Sequence, residues 1–248
     1  MEQRKAERRA ELSRRGFLAN AGKVAVGATV GAAGLSALAA SQAAPSQAAA
    51  ELPAYPWTYK TLDPEAVYWK ANALYYKSAC CQAAFEAIIS ELGFPFNTVP
   101  VGMMRYGEGG VVGWGSHCGA LNGSSAAINL AFPDAYAKLI TELTGWYTEQ
   151  LGSGSPLCHI SVTEWAKAHG VVVDSQERKD RCARVAGETA KKAVLLMNAQ
   201  AAGEFKATFA PKTTTTGCLS CHGASGRQDV RPSVAQDCAA CHGNVHQQ

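Results

Sequence analysis

This sequence of 248 residues has almost no strand signal. Its longest run of β-branched aliphatics is Val171-Val172-Val173, too short to specify a sheet, so an all-α core is expected. A nucleotide-binding loop is missing as well. The glycine-rich stretch YGEGGVVGWGSHCGALNG, residues 106–123, lacks the Lys-Ser/Thr ending of a phosphate-binding loop, and no β-α-β pattern surrounds it. Glycines there suit close backbone approach to a buried cofactor better. Excess positive charge disappears once the N-terminus is set aside. Residues 1–50 hold seven of the 23 Lys/Arg and three of the 20 Asp/Glu, which leaves 16 basic and 17 acidic residues, a net charge of −1, and no support for nucleic-acid binding. The C-terminal segment 211–248 lacks core material: Leu219, Val230, Val234 and Val245 are its only large aliphatics. That is too little apolar surface to offset the entropy of ordering the segment, which therefore stays disordered or folds around something other than protein.

The first fifty residues read as a targeting segment. Arg4, Lys5, Arg8 and Arg9 give a basic start, and Ser13-Arg14-Arg15-Gly16-Phe17-Leu18-Ala19 leads into an Ala/Gly/Val-rich stretch. This resembles a twin-arginine (Tat) export signal, with Ala48-Ala49-Ala50 fitting an A-x-A cleavage site. The apolar run is Gly-rich and interrupted by Lys23, so no stable membrane span is expected after signal removal. The expected location is the periplasm, reached by a route that carries folded, cofactor-loaded proteins.

Helical signals fill residues 51–210. After an aromatic lead-in, Asp63 is placed to cap a long helix with Pro64 at its first position. Val67, Ala71, Leu74, Ser78, Cys81, Phe85, Ile88 and Leu92 recur at helical steps until Gly93 and Pro95 end the run. Short helices are expected from Cys118 to about Ala131 and from near Pro133, and Ser161-Val162-Thr163-Glu164 matches a capping box opening another. A last long helix begins near Ser175 and carries Cys182, Val185, Thr189, Ala193 and Leu196 on its stripe. The expected architecture is a small helical bundle followed by a loop-rich C-terminal segment.

That C-terminal segment contains Cys218-Leu219-Ser220-Cys221-His222 and Cys238-Ala239-Ala240-Cys241-His242. The spacing falls inside the zinc-ribbon range, and disulfides are open to an exported protein. Neither reading uses His222 or His242. Covalent haem attachment uses all three residues of each motif: two thiols add to the haem vinyl groups, and the following histidine supplies the proximal nitrogen. Two haem c groups per chain are therefore expected at Cys218, Cys221, Cys238 and Cys241, and the haems become the core this segment lacks. The sixth iron ligands are sought among His246, His117 and His169, with Met103, Met104 and Met197 as alternatives; His159 sits beside Cys158 and is an alternative neighbour or ligand of a second centre. Six-coordinate irons leave no open position, so electron transfer is expected, and a reductase of small molecules or a redox sensor is the competing reading.

Five cysteines remain: Cys80, Cys81, Cys118, Cys158 and Cys182. Buried thiols, two disulfides with one free thiol, and a metal site all remain open from spacing alone. The segments CCQAAFEAIISELGF (80–94), CGALNG (118–123), CHISVTEW (158–165) and CARVAGETAKKAVLLMN (182–198) resemble a redox family with four cysteines and a Cys-Gly-Ala-x-x-Gly motif. In that family x-[Gln/Glu]-Ala follows the first cysteine, which selects Cys80 over Cys81. That family has no haem tail. Its domain joined to an export signal and a dihaem C-terminus is similar to a family of dihaem c-type cytochromes. The resemblance implies a homodimer, bis-histidine haems stacked near one another, an axial histidine donated across the dimer, redox protein partners, and an iron–sulfur centre of [2Fe–2S] type at Cys80, Cys118, Cys158 and Cys182. A cysteine opening a helix, as Cys118 does, is expected to have its thiolate stabilised, with Gly113, Gly115 and Gly119 letting backbone amides approach the sulfurs.

The domain reading is thus a signal segment at 1–50, a helical cysteine-rich domain at 51–210 and a dihaem tail at 211–248.

Overall fold

The computed structural model describes residues 51–210 and Ser220; from Leu52 onward these belong to the unit Leu52–Gln248. The signal segment, the linker and the haem-attachment motifs lie outside the described residues. The fold is all-α. Its helices are α1 (Pro64–Leu92), α2 (Gly119–Ala131), α3 (Tyr136–Gln150), α4 (Cys158–His169) and α5 (Gln176–Ala201), with two 3₁₀ segments, Phe96–Thr98 and Val101–Gly107, between α1 and α2. Among the described residues no strand forms; His117 and Leu157 make one isolated antiparallel bridge. Val171-Val172-Val173 sits in the connection before α5, with Val172 and Val173 exposed. No described helix is long and apolar enough to cross a membrane.

The caps explain the boundaries. Asp63 accepts a hydrogen bond from the Glu65 amide at 2.9 Å and Pro64 takes the first helical position, while Gly93, at φ 73°, stops α1. Ser175 caps α5 by accepting from the Arg178 amide at 3.2 Å. The capping-box expectation at Ser161 is corrected. Helix α4 already starts at Cys158, after Leu157, and Ser161 is buried inside it. Ser161 is drawn inward because Tyr147 and Arg181 offer it hydrogen bonds there.

Helices α1 and α5 make the most extensive pairing, with α2 packed against both. The seam is rich in small residues. Ala71, Ala84, Ala87, Ala183, Ala186, Ala190 and Ala193 are all buried, and a Cβ on Gly187 would lie 2.8 Å from the Tyr68 ring. Small side chains let backbones approach at the packing density of a protein interior. Asn198 on α5 pins the N-terminal lead-in: its Oδ1 accepts from Tyr59 Oη (2.7 Å) and the Leu62 amide (3.1 Å), and its Nδ2 donates to the Leu62 carbonyl (2.9 Å). The N-terminal lead-in is thereby tied to α5, the helix that also carries Cys182.

Candidate metal centre

All five helices send side chains to one cavity of about 20 Å³, space for roughly one water. Cys80 comes from α1, Cys118 from the cap of α2, Tyr147 from α3, Cys158 and Ser161 from α4, and Arg181 and Cys182 from α5. The structure therefore brings together Cys80, Cys118, Cys158 and Cys182. Cys81 does not line the cavity; it is fully buried in the hydrophobic core. Adjacent residues on a helix point about 100° apart, so the two thiols reach different surroundings; just before them α1 breaks at Ala79, whose φ of 59° and ψ of 179° are not helical. Only glycine visits that region readily, so the break is a strained one beside the site. The sequence stripe places Cys81 in the core correctly, but the break beside it carries no signal, since alanine is the best of helix formers.

The loop before α2 is zipped to the start of α4. Cys158 N–H donates to the Ser116 carbonyl (2.6 Å), His159 N–H to the Gly115 carbonyl (3.0 Å), and Cys118 N–H to the Pro156 carbonyl (2.9 Å). Glycines make this approach possible, but not all of the expected ones. A Cβ on Gly119 would overlap the Cys80 sulfur and one on Gly107 the Cys81 sulfur, while on Gly110 it would lie 2.8 Å from the Cys158 Cβ. Gly113 meets nothing within 4 Å, and Gly115 packs on His159 instead of a sulfur. The path of the loop, not its composition, decides which glycine faces which thiol.

The thiols resist ionisation. Burial pushes Cys80 well above its ordinary value, and Cys118, Cys182 and Cys158 add to this against the Gly109 amide. Cys158 is pushed up to about 12 by burial, then by Cys118 and Cys182, with Arg181 and Arg178 opposing. Cys118 is the N-cap of α2, as expected, yet burial raises it too, although the Tyr147 hydroxyl and the Ala120 and Leu121 amides bond its sulfur. The expectation of a stabilised Cys118 thiolate is corrected: desolvation outweighs the helix end in the protein alone. Cys80, Cys118 and Cys158, whose ionisation burial suppresses, become thiolates beside a cation, which releases their protons. Such a donor set fits a soft metal or an iron–sulfur centre. Among the described residues no three Cys, His, Asp or Glu side chains close on a point as ligands of a single ion; the four sulfurs surround the cavity.

The histidines lie elsewhere. His159 is exposed and does not line the cavity; its Nδ1 lies 2.8 Å from the Gly115 carbonyl. His169 is exposed, stacked on Trp165, with Nδ1 2.8 Å from the Trp165 carbonyl. A carbonyl only accepts, so each Nδ1 carries the proton and donates, which leaves Nε2 with a free lone pair. His117 is half-buried, and burial lowers its pKa and favours the neutral ring. His246 lies outside the described residues, as do His222, His242, Cys218, Cys221, Cys238 and Cys241. Met104 and Met197 are buried in the core, and Met103 is exposed. Tyr147 and Arg181 carry no site signal in the sequence, and Ser161 reads there only as a helix cap. Tyr147 carried only a stripe signal, and a buried arginine looks like any surface arginine in a sequence.

Residues 78–196 match the family described as "Putative redox-active protein (C_GCAxxG_C_C)". Over this stretch the chain is similar to that family. The C_GCAxxG_C_C match includes all four cavity cysteines. Its name spells Gly-Cys-Ala-x-x-Gly, whereas Cys118-Gly119-Ala120-Leu121-Asn122-Gly123 has the first two exchanged. Beyond the domain, the chain is a homologue of the split-Soret cytochrome c of Desulfovibrio desulfuricans (strain ATCC 27774 / DSM 6949 / MB). The two are 29% identical over 263 residues, covering 93% of this chain and 94% of the relative. A solved structure of the split-Soret cytochrome c from Desulfovibrio desulfuricans ATCC 27774, described as having a novel iron centre, superposes with a TM-score of 0.68 at 27% identity. It covers 77% of this chain and 92% of that one.

Proposed function

We propose that this chain is a periplasmic electron carrier with two haem c groups in its C-terminal segment and an iron–sulfur centre of [2Fe–2S] type in its helical domain. Cys80, Cys118, Cys158 and Cys182 hold the iron–sulfur centre. Cys218 and Cys221, and Cys238 and Cys241, attach the haems, with His222 and His242 as proximal ligands. One observation carries the reading: four cysteines far apart in the sequence meet at one cavity, in a chain that also has two complete Cys-x-x-Cys-His motifs. The relationship to a cytochrome with an iron centre supports it.

When bound, the cofactors supply one-electron chemistry. The protein's part is to hold them, exclude water and set their surroundings. Helices α1, α2, α4 and α5 each fix one thiol, and the zipped loop closes the cavity between α2 and α4. His117, His169 and His246 are the sixth-ligand candidates, one of them reaching a haem of the second subunit in a homodimer. His169 is held in the tautomer that leaves Nε2 free, which suits ligation. Redox proteins are the partners.

The test is made on the mature protein purified from the periplasm. Intact mass gives the polypeptide plus two covalent haems, and iron exceeds haem with acid-labile sulfide present. Carbon monoxide leaves the reduced haem spectrum unchanged. A mass without covalent porphyrin overturns the cytochrome reading; haem-only iron without sulfide overturns the iron–sulfur reading.

A further inference from the structure

Among the described residues one buried side chain is charged, and it lacks an opposite charge. Arg181 is 5% exposed and lines the cysteine cavity. Burying a guanidinium is costly unless an anion meets it. Among the described residues the ion pairs are Lys70–Glu91, Lys167–Glu164 and Lys191–Glu65, and none includes Arg181. Its Nη2 donates to the Leu151 carbonyl (2.7 Å) and to Ser161 Oγ (2.6 Å), and its charge lies 5.9 Å from the Trp165 ring. These contacts orient the cation without neutralising it.

The chain of contacts continues toward sulfur. Ser161 Oγ is 3.1 Å from the Tyr147 hydroxyl, and both side chains are buried. Tyr147 lines the same cavity as Cys118 and carries this link to the donor set. Arg181 precedes Cys182 in the chain and lines the cavity together with Cys80, Cys118 and Cys158, so its field reaches the donor set directly as well. Among the described residues no other buried cation lines the cavity.

We propose that Arg181, held by Ser161 and linked through Tyr147 to Cys118, is the built-in counter-charge of the cysteine-ligated centre and raises its reduction potential. The inference rests on the centre proposed above. Four thiolates supply the anion that the buried guanidinium otherwise lacks. When a one-electron donor such as a ferrous haem passes an electron to the centre, the donor is oxidised and the centre gains one negative charge; no bond to Arg181 forms or breaks. Arg181 then faces a larger negative charge than before, so it favours the reduced state. In low dielectric this interaction is far stronger than at a surface. Arg181 is thus a positioning residue for the redox centre, and the Tyr147 hydroxyl adds a hydrogen bond to sulfur, which acts in the same direction.

The test uses the full cofactor-loaded chain with Arg181→Met, Arg181→Lys and Tyr147→Phe. Iron and sulfide content are measured first, then the midpoint potential of the non-haem centre by EPR-monitored titration. Arg181→Met with full iron content is expected to lower the midpoint by about 59 mV, tenfold in the one-electron equilibrium. Arg181→Lys keeps the charge and recovers at least half of the shift. Tyr147→Phe shifts the potential in the same direction by a smaller amount. A purely structural arginine, needed only for the Leu151 carbonyl, would lower thermal stability and leave the potential of loaded protein unchanged; that result overturns the proposal. If Arg181→Met does not retain iron, Tyr147→Phe and Arg181→Lys decide: an unchanged potential in the first, or a shift in the second as large as 59 mV, overturns it. A wild-type chain without non-haem iron and sulfide overturns the centre itself, an outcome distinct from an unmoved potential in a loaded variant.

Discussion

Cys80 and Cys81 are chemically identical neighbours with opposite surroundings, one facing the cavity and one sealed in the core. Their substitutions should separate. Cys80→Ser is expected to lose most non-haem iron with little change in the fold of the iron-free chain. Cys81→Ala is expected to cost about 1 kcal/mol of stability, by loss of a small buried side chain, while iron is retained. Iron analysis and thermal unfolding of both variants check this. Gly119 poses a steric question. An added Cβ there has no room between the Cys80 sulfur and the Gly107 carbonyl. Gly119→Ala is expected to cost about 1–3 kcal/mol, as overpacking does, and to reduce iron retention together with stability. Unchanged unfolding and iron content would show that the loop has slack. Both residues were visible in the sequence as part of a motif. Which cysteine of the pair faces the cavity was carried there only by resemblance, and the contacts of Gly119 were not visible at all.

Among the elements, α1 is the one whose regularity is deceptive. Its apolar stripe reads as one continuous helix, and the stripe does bury Val67, Ala71, Cys81, Phe85, Ile88 and Leu92. Yet Ala79 leaves helical geometry between the two halves. Because glycine occupies that conformation without the penalty of a Cβ, Ala79→Gly is expected to stabilise the protein by about 1 kcal/mol, seen as a higher Tm with unchanged iron content. A lower Tm would mean that the helix straightens in solution. Helices α4 and α5 show the reverse relation between sequence and structure. Ser175 behaves as the cap that its position suggests, whereas Ser161, in an equally good capping pattern, is buried under Tyr147 and Arg181. A local motif loses to tertiary hydrogen bonds when burial makes those bonds worth more.

At the scale of the molecule, the chain leaving α5 folds back onto α3. The Glu142 carboxylate accepts from the Thr208 amide and the Phe209 amide, each at 2.8 Å, and from the Thr208 hydroxyl. The Phe209 ring fills the notch over Gly145, where a Cβ would overlap it. This clasp holds the chain just before the segment proposed to bind haem. Burial tends to raise the Glu142 pKa, but the hydrogen bonds from Thr208 and Phe209, aided by Lys192, win and hold it below its ordinary value of 4.5. A carboxyl depressed on folding contributes stability above its ordinary value and loses it as pH falls through the lower, folded value. The clasp is therefore expected to be intact at neutral pH and to open below about pH 4.5. Faster hydrogen exchange at the Thr208 and Phe209 amides would report the opening. Glu142→Gln should loosen the same amides at neutral pH, and protection that is independent of both pH and Glu142 would show that Phe209 packing alone holds the segment.

The sequence by itself determined the all-α class and the main helices, because Asp63, Pro64, Gly93 and Ser175 are local signals and the apolar repeats are periodic. It also set out the two Cys-x-x-Cys-His motifs, whose chemistry needs no fold to be recognised. Tertiary structure alone decided that one cavity collects Cys80, Cys118, Cys158 and Cys182, that Ser161 is a buried link and not a cap, and that Arg181 is a buried cation. Those facts depend on where a broken helix and a loop pass in space. A one-dimensional pattern records the spacing of side chains along an element, and it does not record which elements meet.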